Sequence, residues 1–460
     1  MEKNLTEGSV VKNLLFFSLP YLLSSFLQTL YGLADLFIAG QFNGAAVISA
    51  VSVGSQVMHM LTVILLGLAM GTTVLISRAV GSGDRERSAK VIASTIVVFS
   101  ILAIFLTVLL IFLCPKITEI LFVPEEAVKD CHLYLKICFS GIPFIVAYNI
   151  IASVYRGMGD TRTPLYFVAF ACVLNIALDY IFMGPLKMGA AGAAFATVIA
   201  QAFSVFLSIA FFVKDSAHGG IKLNRRHFKF DWEIFSSLFK IGLPVAFQDG
   251  FIQISFMVIT VIANARGVDV AAAVGIVEKI ISFLFLVPSA MLSSISAIAA
   301  QNIGGGKSQR AKETLFTGMA LSLAAGAFFV LVFQFANEWL VGKFTYEKNV
   351  ILLGGQYLKS YVFDCFFAAI SFSFSGYFCA WGMSYISFLS NVISVLLVRI
   401  PGAYYASQKW PDTLYPMGWA APLGSLLSAL IYLLIFLLLR KRKFAGKTLA
   451  LKGASKNCNF

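Results

Sequence analysis

Apolar residues fill this chain in long uninterrupted blocks, not in the half-polar stripes of a water-soluble helix. Twelve blocks are long enough to cross a bilayer, at roughly 13–40, 47–77, 88–113, 129–154, 162–183, 189–213, 233–263, 270–300, 310–335, 350–379, 384–405 and 417–439. Six precede the polar stretch 214–231, which holds His218-Gly219-Gly220 and Arg225-Arg226-His227, and six follow it. The polar punctuation also recurs. Ser77-Arg78-Ala79-Val80-Gly81-Ser82-Gly83-Asp84-Arg85 separates the second and third blocks, as Ala300-Gln301-Asn302-Ile303-Gly304-Gly305-Gly306-Lys307-Ser308 separates the eighth and ninth. Leu19-Pro20 is matched by Leu243-Pro244, Tyr134-Leu135-Lys136 by Tyr357-Leu358-Lys359, and Gly159 by Gly382. A duplicated apolar chain of this kind predicts a transporter made of two like bundles with a pathway between them. The expected fold is an all-α integral membrane protein with twelve transmembrane helices in two pseudo-symmetric six-helix lobes around a central cleft. Its expected parts are an amino-terminal lobe at 1–213, a linker at 214–231, a carboxyl-terminal lobe at 232–440 and a basic tail at 441–460.

Composition agrees with a bilayer setting. With 59% hydrophobic and 12% charged residues and a mean hydropathy of +0.86, the chain has too few polar groups to cover a water-soluble globule. Most of its 35 Lys and Arg fall at the amino terminus, in the even-numbered connections and in the tail from Arg440 onward. The positive-inside bias then predicts that both termini are cytoplasmic in a cell-membrane protein and that the halves are parallel repeats. The net charge of +13 sits in these membrane-flanking loops, which argues against nucleic-acid binding. The seven cysteines are scattered without CxxC spacing and read as small apolar fillers. Residues 1–11 carry no cleavable signal pattern, so the first span is expected to direct insertion.

Ionisable groups at membrane depth are costly unless partnered or hydrated, which makes them the natural place to look for function. The candidates are Asp35, Asp179, Asp249, Glu278, Lys279, Asp364 and Arg399. Asp35 lies near the outer end of the first span, Asn175 and Asp179 near the outer end of the fifth, and Thr197 near the outer start of the sixth. At 1.5 Å per residue, all four fall within roughly 12 Å of the outer boundary. Asn175 and Asp179, spaced i, i+4, share one helix face. Two carboxylates, an amide oxygen and a hydroxyl make an all-oxygen pocket suited to Na⁺ or to a shared proton. Gln28 and Tyr31 precede Asp35 on the same face and extend this polar wall.

Several segments together resemble the multidrug and toxic compound extrusion (MATE) family, prokaryotic type, over essentially the whole chain. They are Gln28-Thr29-Leu30-Tyr31-Gly32-Leu33-Ala34-Asp35, Gly81-Ser82-Gly83-Asp84, Tyr155-Arg156-Gly157-Met158-Gly159-Asp160-Thr161-Arg162-Thr163-Pro164, and Leu174-Asn175-Ile176-Ala177-Leu178-Asp179 followed by Gly189-Ala190-Ala191-Gly192-Ala193-Ala194. The resemblance implies a V-shaped pair of lobes that exchanges an inward-moving cation for an outward-moving, usually cationic and amphipathic, organic compound. It places a cation site on Asp35, Asn175, Asp179 and Thr197, and matches Pro20 to a proline at which the first helix bends in some members. The second half departs from the family pattern. Ile252 and Gln253 stand where some members carry an acid, and Asp249 and Asp364 fall early. Asp249, Glu278, Lys279, Asp364 and Arg399 are therefore expected to pair with one another.

Met58, Met60 and Met70 on the second span and the Phe-rich tenth span are candidate walls for a substrate cavity. His59 reads as a histidine satisfied within the bundle. No HExxH, GxSxG or nucleotide-binding glycine motif points to an enzyme. The expected partners are the bilayer and small amphipathic molecules, with a functional monomer, no nucleic acid and no cofactor beyond the coupling Na⁺ or H⁺. The rival reading is a flippase of lipid-linked oligosaccharide or another lipid, which needs a strongly basic cavity.

Overall fold

The computed structural model describes residues 3–217, 221–229 and 231–454, and all regular structure among them is helical. Parts of the expected linker (218–220 and 230) and tail (455–460) lie outside the described residues. The first half contains α1 (Val10–Phe42), α2 (Ala45–Gly81), α3 (Arg85–Ile120), α4 (Glu125–Ser140), α5 (Ile142–Gly157), α6 (Arg162–Met183) and α7 (Gly189–Ala217). The second contains α8 (Trp232–Asn264), α9 (Val268–Leu284), α10 (Leu286–Gly304), α11 (Ser308–Phe335), α12 (Asn337–Val341), α13 (Lys348–Tyr361), α14 (Phe363–Ala380), α15 (Ser384–Ser394), a π turn (Val395–Arg399), α16 (Ile400–Lys409), α17 (Tyr415–Gly418) and α18 (Ala420–Ala454). Among the described residues, eleven segments are long and apolar enough to cross a membrane, and a twelfth is completed by α4 and α5, bent by 48°.

The interruptions have local causes. Pro143 follows Gly141 and removes a donor from the α4–α5 ladder, while Gly141 leaves room for Val198, which a Cβ there would strike. Pro401 acts in the same way just after the π turn. α1 continues through Pro20 with its neighbourhood sewn by hydroxyls: Ser24 donates to the Pro20 carbonyl at 2.9 Å, and Thr161 at the head of α6 donates to the Phe17 carbonyl at 2.9 Å.

Contacts divide the chain into two compact units that cut across the expected lobe boundary. One comprises Met1–Gln253, Phe285–Ala320 and Gly376–Tyr385; the other comprises Ile254–Leu284, Leu321–Ser375 and Ile386–Phe460. Within the first, helix backbones meet directly. A Cβ at Gly81 would overlap the Gln301 carbonyl, and a Cβ at Gly304 would overlap the Arg78 carbonyl. The two repeated glycine turns thus cross each other reciprocally. Gly67 and Gly71 of α2 and Gly242 of α8 make similar approaches. Apolar side chains gain little by leaving lipid for protein, so close packing of small residues is what holds such helices together. Arg78 fastens α14 by donating through Nε to the Ala380 carbonyl at 3.0 Å. The leading segment is held on the same side: Gln301 accepts from Leu5 N at 2.9 Å, and Lys307 donates to the Thr6 carbonyl at 3.0 Å.

In the second unit, Gly326 lies against the backbone of Cys365 and Phe366, and Gly418 against Ser360. Arg266 ties the α8–α9 turn to the carbonyls of Trp410 at 3.2 Å and Thr413 at 3.4 Å.

The reciprocal glycine crossing predicts that Gly81→Ala lowers stability by about 1–3 kcal/mol, because a backbone carbonyl cannot move aside as a side-chain end can. Gly40→Ala, at a helical position with open space, is expected to be neutral or slightly stabilising. Thermal unfolding of the two purified variants in one detergent tests this, and equal midpoints refute the crossing.

Candidate functional site

Asp35 of α1 and Asn175 and Asp179 of α6 are buried, at 3%, 2% and 0% exposure. Thr197 of α7 is half-buried. The side chains of Asp179, Asn175 and Thr197 all lie within interaction range of the Asp35 carboxylate. The structure therefore brings together the four residues that spacing along three helices predicted. Yet Asp35 Oδ1, both carboxylate oxygens of Asp179 and both amide atoms of Asn175 have no formed hydrogen bond among the described residues. The Thr197 hydroxyl donates to the Ala193 carbonyl at 3.0 Å, so its oxygen still has lone pairs to offer.

Two buried carboxylates this close, without a cationic side chain between them, are strongly unfavourable as a pair of bare anions. Their donor set is oxygen only, and among the described residues no group of three or more His, Cys, Asp or Glu forms a metal cluster. Hard monovalent cations and protons fit such a set; thiophilic transition metals do not.

Two further residues belong to this neighbourhood. Tyr134 of α4 lies within electrostatic reach of both Asp35 and Asp179, and Gly54 of α2 leaves the space its ring fills. Gln201, one turn after Thr197 on α7, faces Tyr31, and its Oε1 lacks a partner among the described residues. The i, i+4 spacing of Thr197 and Gln201 was a usable signal for the second. The duplicated Tyr134-Leu135-Lys136 marked the first only as a landmark.

Gln28 faces a separate cavity nearer Pro20, together with Tyr21, Ser24, Tyr148 and Arg156. Of the methionines, Met58 is buried, Met70 half-buried and Met60 exposed. His59, expected inside the bundle, is instead exposed on α2.

The charged group of the second half forms only in part. Arg399 is 7% exposed; its Nη2 donates to the Tyr361 hydroxyl at 2.8 Å, and its guanidinium lies 4.6 Å from the centre of the Phe256 ring. Asp364 and Glu278 act on it electrostatically without closing to an ion pair. Thr260 donates to Glu278 Oε2 at 3.2 Å. The expected pairing does not extend to Lys279, which is exposed because helical period turns it away from its neighbour Glu278. Nor does it extend to Asp249, which is half-buried in the first unit and has no ion pair among the described residues.

A helical membrane protein with an internal duplication and an acidic cluster in its first half is a transporter by architecture. The MatE family model matches residues 20–181 and again 244–405, and the chain belongs to that family. It is 29% identical over 396 residues to the "Probable multidrug resistance protein YpnP" of Bacillus subtilis (strain 168), covering 86% of this chain and 88% of that one. It is 26% identical over 450 residues to the "Multidrug export protein MepA" of Staphylococcus aureus (strain bovine RF122 / ET3-1), covering 95% of each. Among solved structures, MATE in complex with MaL6 superposes with a TM-score of 0.88 at 21% identity, over 97% of this chain and 99% of that one. The outward-facing conformation of a multidrug resistance MATE family transporter of the MOP superfamily superposes with a TM-score of 0.87 at 20% identity, over 96% and 98%.

The two matches also align the halves. Between the pair Gly159 and Gly382 and the match ends at 181 and 405, the second half gains one residue, which the π turn at Val395–Arg399 accommodates. At the offset of the two match ends, Arg399, the last residue of the π turn, falls opposite Asn175, and Ala403 falls opposite Asp179. At these two places the second half has a guanidinium opposite the amide and a methyl group opposite the Asp179 carboxylate.

Arg399→Ala would leave the buried Asp364 and the half-buried Glu278 without a counter-charge. The expected loss is about 3–5 kcal/mol, with a smaller loss for Arg399→Lys. Detergent-solubilised thermal unfolding measures both, and an unchanged midpoint for Arg399→Ala would remove the electrostatic role given to it.

Proposed function

We propose that this chain is a secondary active multidrug efflux transporter that exchanges inward-moving Na⁺ or H⁺ for outward-moving amphipathic, cationic organic compounds by alternating access. One observation carries the reading: Asp35, Asn175, Asp179 and Thr197 converge in the first half with orphaned buried oxygens and no side-chain counter-ion. The names of the MatE relatives YpnP and MepA support the multidrug part.

With both carboxylates charged, Asp35 and Asp179 repel each other and hold α1 and α6 apart. Arrival of a cation neutralises the pair, lets α1 repack at its Pro20 weak point against α6, and favours release of the organic compound outside. Such a cation drives the cycle only through its different affinity for the two states. Tyr31 and Gln201 shape the site, while Gln28, Met58 and Met70 supply contacts for substrate or for gating. The second half, with Arg399 in the counterpart position, carries no coupling-ion site of its own. In this reading the functional lobes are 1–213 and 232–440, joined by a cytoplasmic linker, with a basic cytoplasmic tail, both termini inside, and a monomer sufficing in the cell membrane. A lipid-linked oligosaccharide flippase is disfavoured, because Lys279 is exposed and Arg399 is engaged with Tyr361.

Purified protein in liposomes, given first an imposed Na⁺ gradient and then an imposed pH gradient, should expel a cationic dye under at least one of them. Asp35→Asn and Asp179→Asn should each lower the driven rate at least tenfold, the effect of about 1.4 kcal/mol on the coupled step. Reconstitution yield should not change. Full efflux in either variant sinks the site, and absence of efflux under both gradients sinks the function.

A further inference from the structure

The cavity beside Gln28 has a chemistry opposite to that of the carboxylate cluster. Arg156 of α5 is 9% exposed and lines it with Tyr21, Gln28, Tyr148 and Thr161. Its guanidinium donates to the Ser153 hydroxyl at 2.7 Å and lies 5.4 Å from the centre of the Tyr21 ring. Neither group neutralises it, and no carboxylate reaches it among the described residues. The nearest acid in sequence, Asp160, is spent on the head of α6, where it accepts from Arg162 N at 2.9 Å, Thr163 N at 3.2 Å and Thr163 Oγ1 at 2.6 Å. A guanidinium offers five donors, so most of those on Arg156 remain for a ligand.

An arginine at the cytoplasmic end of a span is ordinarily turned toward water and lipid headgroups. This one is folded into the bundle. It is not part of the duplicated scaffold either, because Arg156 stands three residues before Gly159 where Cys379 stands three residues before Gly382. Its neighbours are polar as well: the Gln28 amide lies within interaction range of the Tyr148 hydroxyl, and both line the same space as Arg156. The hydroxyls of Ser24, Ser25 and Thr161 are committed to backbone carbonyls, so the free donors are concentrated on Arg156, Gln28 and Tyr148. The enclosed space takes groups of about the size of a water molecule and not a whole drug-sized body.

We infer that this cavity is an anion subsite, in which Arg156, Gln28 and Tyr148 hold a compact monoanion, either a halide or the carboxylate end of an organic amphiphile. Gln28 and Asp35 are seven residues apart on α1, about 10 Å along the helix, so the first half presents a cationic subsite and an anionic one in series. A ligand carrying both charges satisfies both. A carboxylate suits the planar guanidinium fork by paired hydrogen bonds, whereas a halide accepts from single donors.

The test uses the full chain in detergent at one fixed Na⁺ concentration, with sodium benzoate and, separately, sodium chloride replacing sodium MOPS step by step. The thermal unfolding midpoint is followed, since a ligand that binds only the folded state raises it. A saturable rise is expected with at least one anion. Response to benzoate alone assigns the site to organic carboxylates, and response to chloride assigns it to halide as well. Arg156→Gln should weaken half-saturation at least tenfold, Arg156→Lys should retain a saturable response, and Tyr148→Phe should weaken it a few-fold while keeping the ring. Asp35→Asn should leave the anion response as in the unaltered chain, which separates this inference from cation coupling. No saturable rise with either anion overturns the subsite. So does an undiminished response in Arg156→Gln or, if that variant does not fold, in Tyr148→Phe.

Discussion

Everything else in this structure depends on the distance of closest approach between helix backbones where the two glycine turns cross. Lipid tails compete with apolar side chains on equal terms, so a membrane bundle cannot rely on burial of Leu and Phe as a soluble core does. At Gly81 and Gly304 the chain removes side chains altogether, and each backbone lies on the other's carbonyl. Arg78, on the last turn of α2, then reaches the Ala380 carbonyl, and Gln301 reaches back to the leading segment. A duplicated motif folded against its own copy gives a contact that is satisfied from both sides at once.

On this frame the two copies have diverged in charge. The first keeps Asp35, Asn175 and Asp179 as a buried oxygen cluster lacking a fixed counter-charge. The second has Arg399 and Ala403 opposite Asn175 and Asp179 and draws its acids, Glu278 and Asp364, from other helices. Arg399 gives the second cluster a permanent positive charge beside its two acids. The first has no such fixed positive charge, and the proposed role of a cation from solution rests on that difference.

Much of this was legible before any coordinates. The apolar blocks marked the crossing helices, because membrane depth tolerates few polar side chains. The meeting of Asp35, Asn175, Asp179 and Thr197 followed from helix rise and from the direction in which each span runs. What the sequence hid was non-periodic. The bend at Gly141 needed knowledge of Val198 across the gap. The extra residue before Pro401 shifts the register by one and disguises the correspondence of Arg399 with Asn175. Lys279 was expected to pair because charges at membrane depth are usually partnered, and only the packed helices show that its side chain is exposed. Tyr134 and Arg156 sit in recognised motifs, but their burial toward polar neighbours is a property of the packed helices.

The bend between α4 and α5 has one more consequence. Tyr134 rides on α4 beside the carboxylates, and Arg156 rides on α5 at the cavity, with Gly141 between them. A straight rod would transmit any tilt at one end to the other in full. On the two proposals above, the bend at Gly141 divides the arm that carries Tyr134 beside the acidic cluster from the arm that carries Arg156 at the basic cavity, so two chemistries of opposite sign share one crossing of the bilayer.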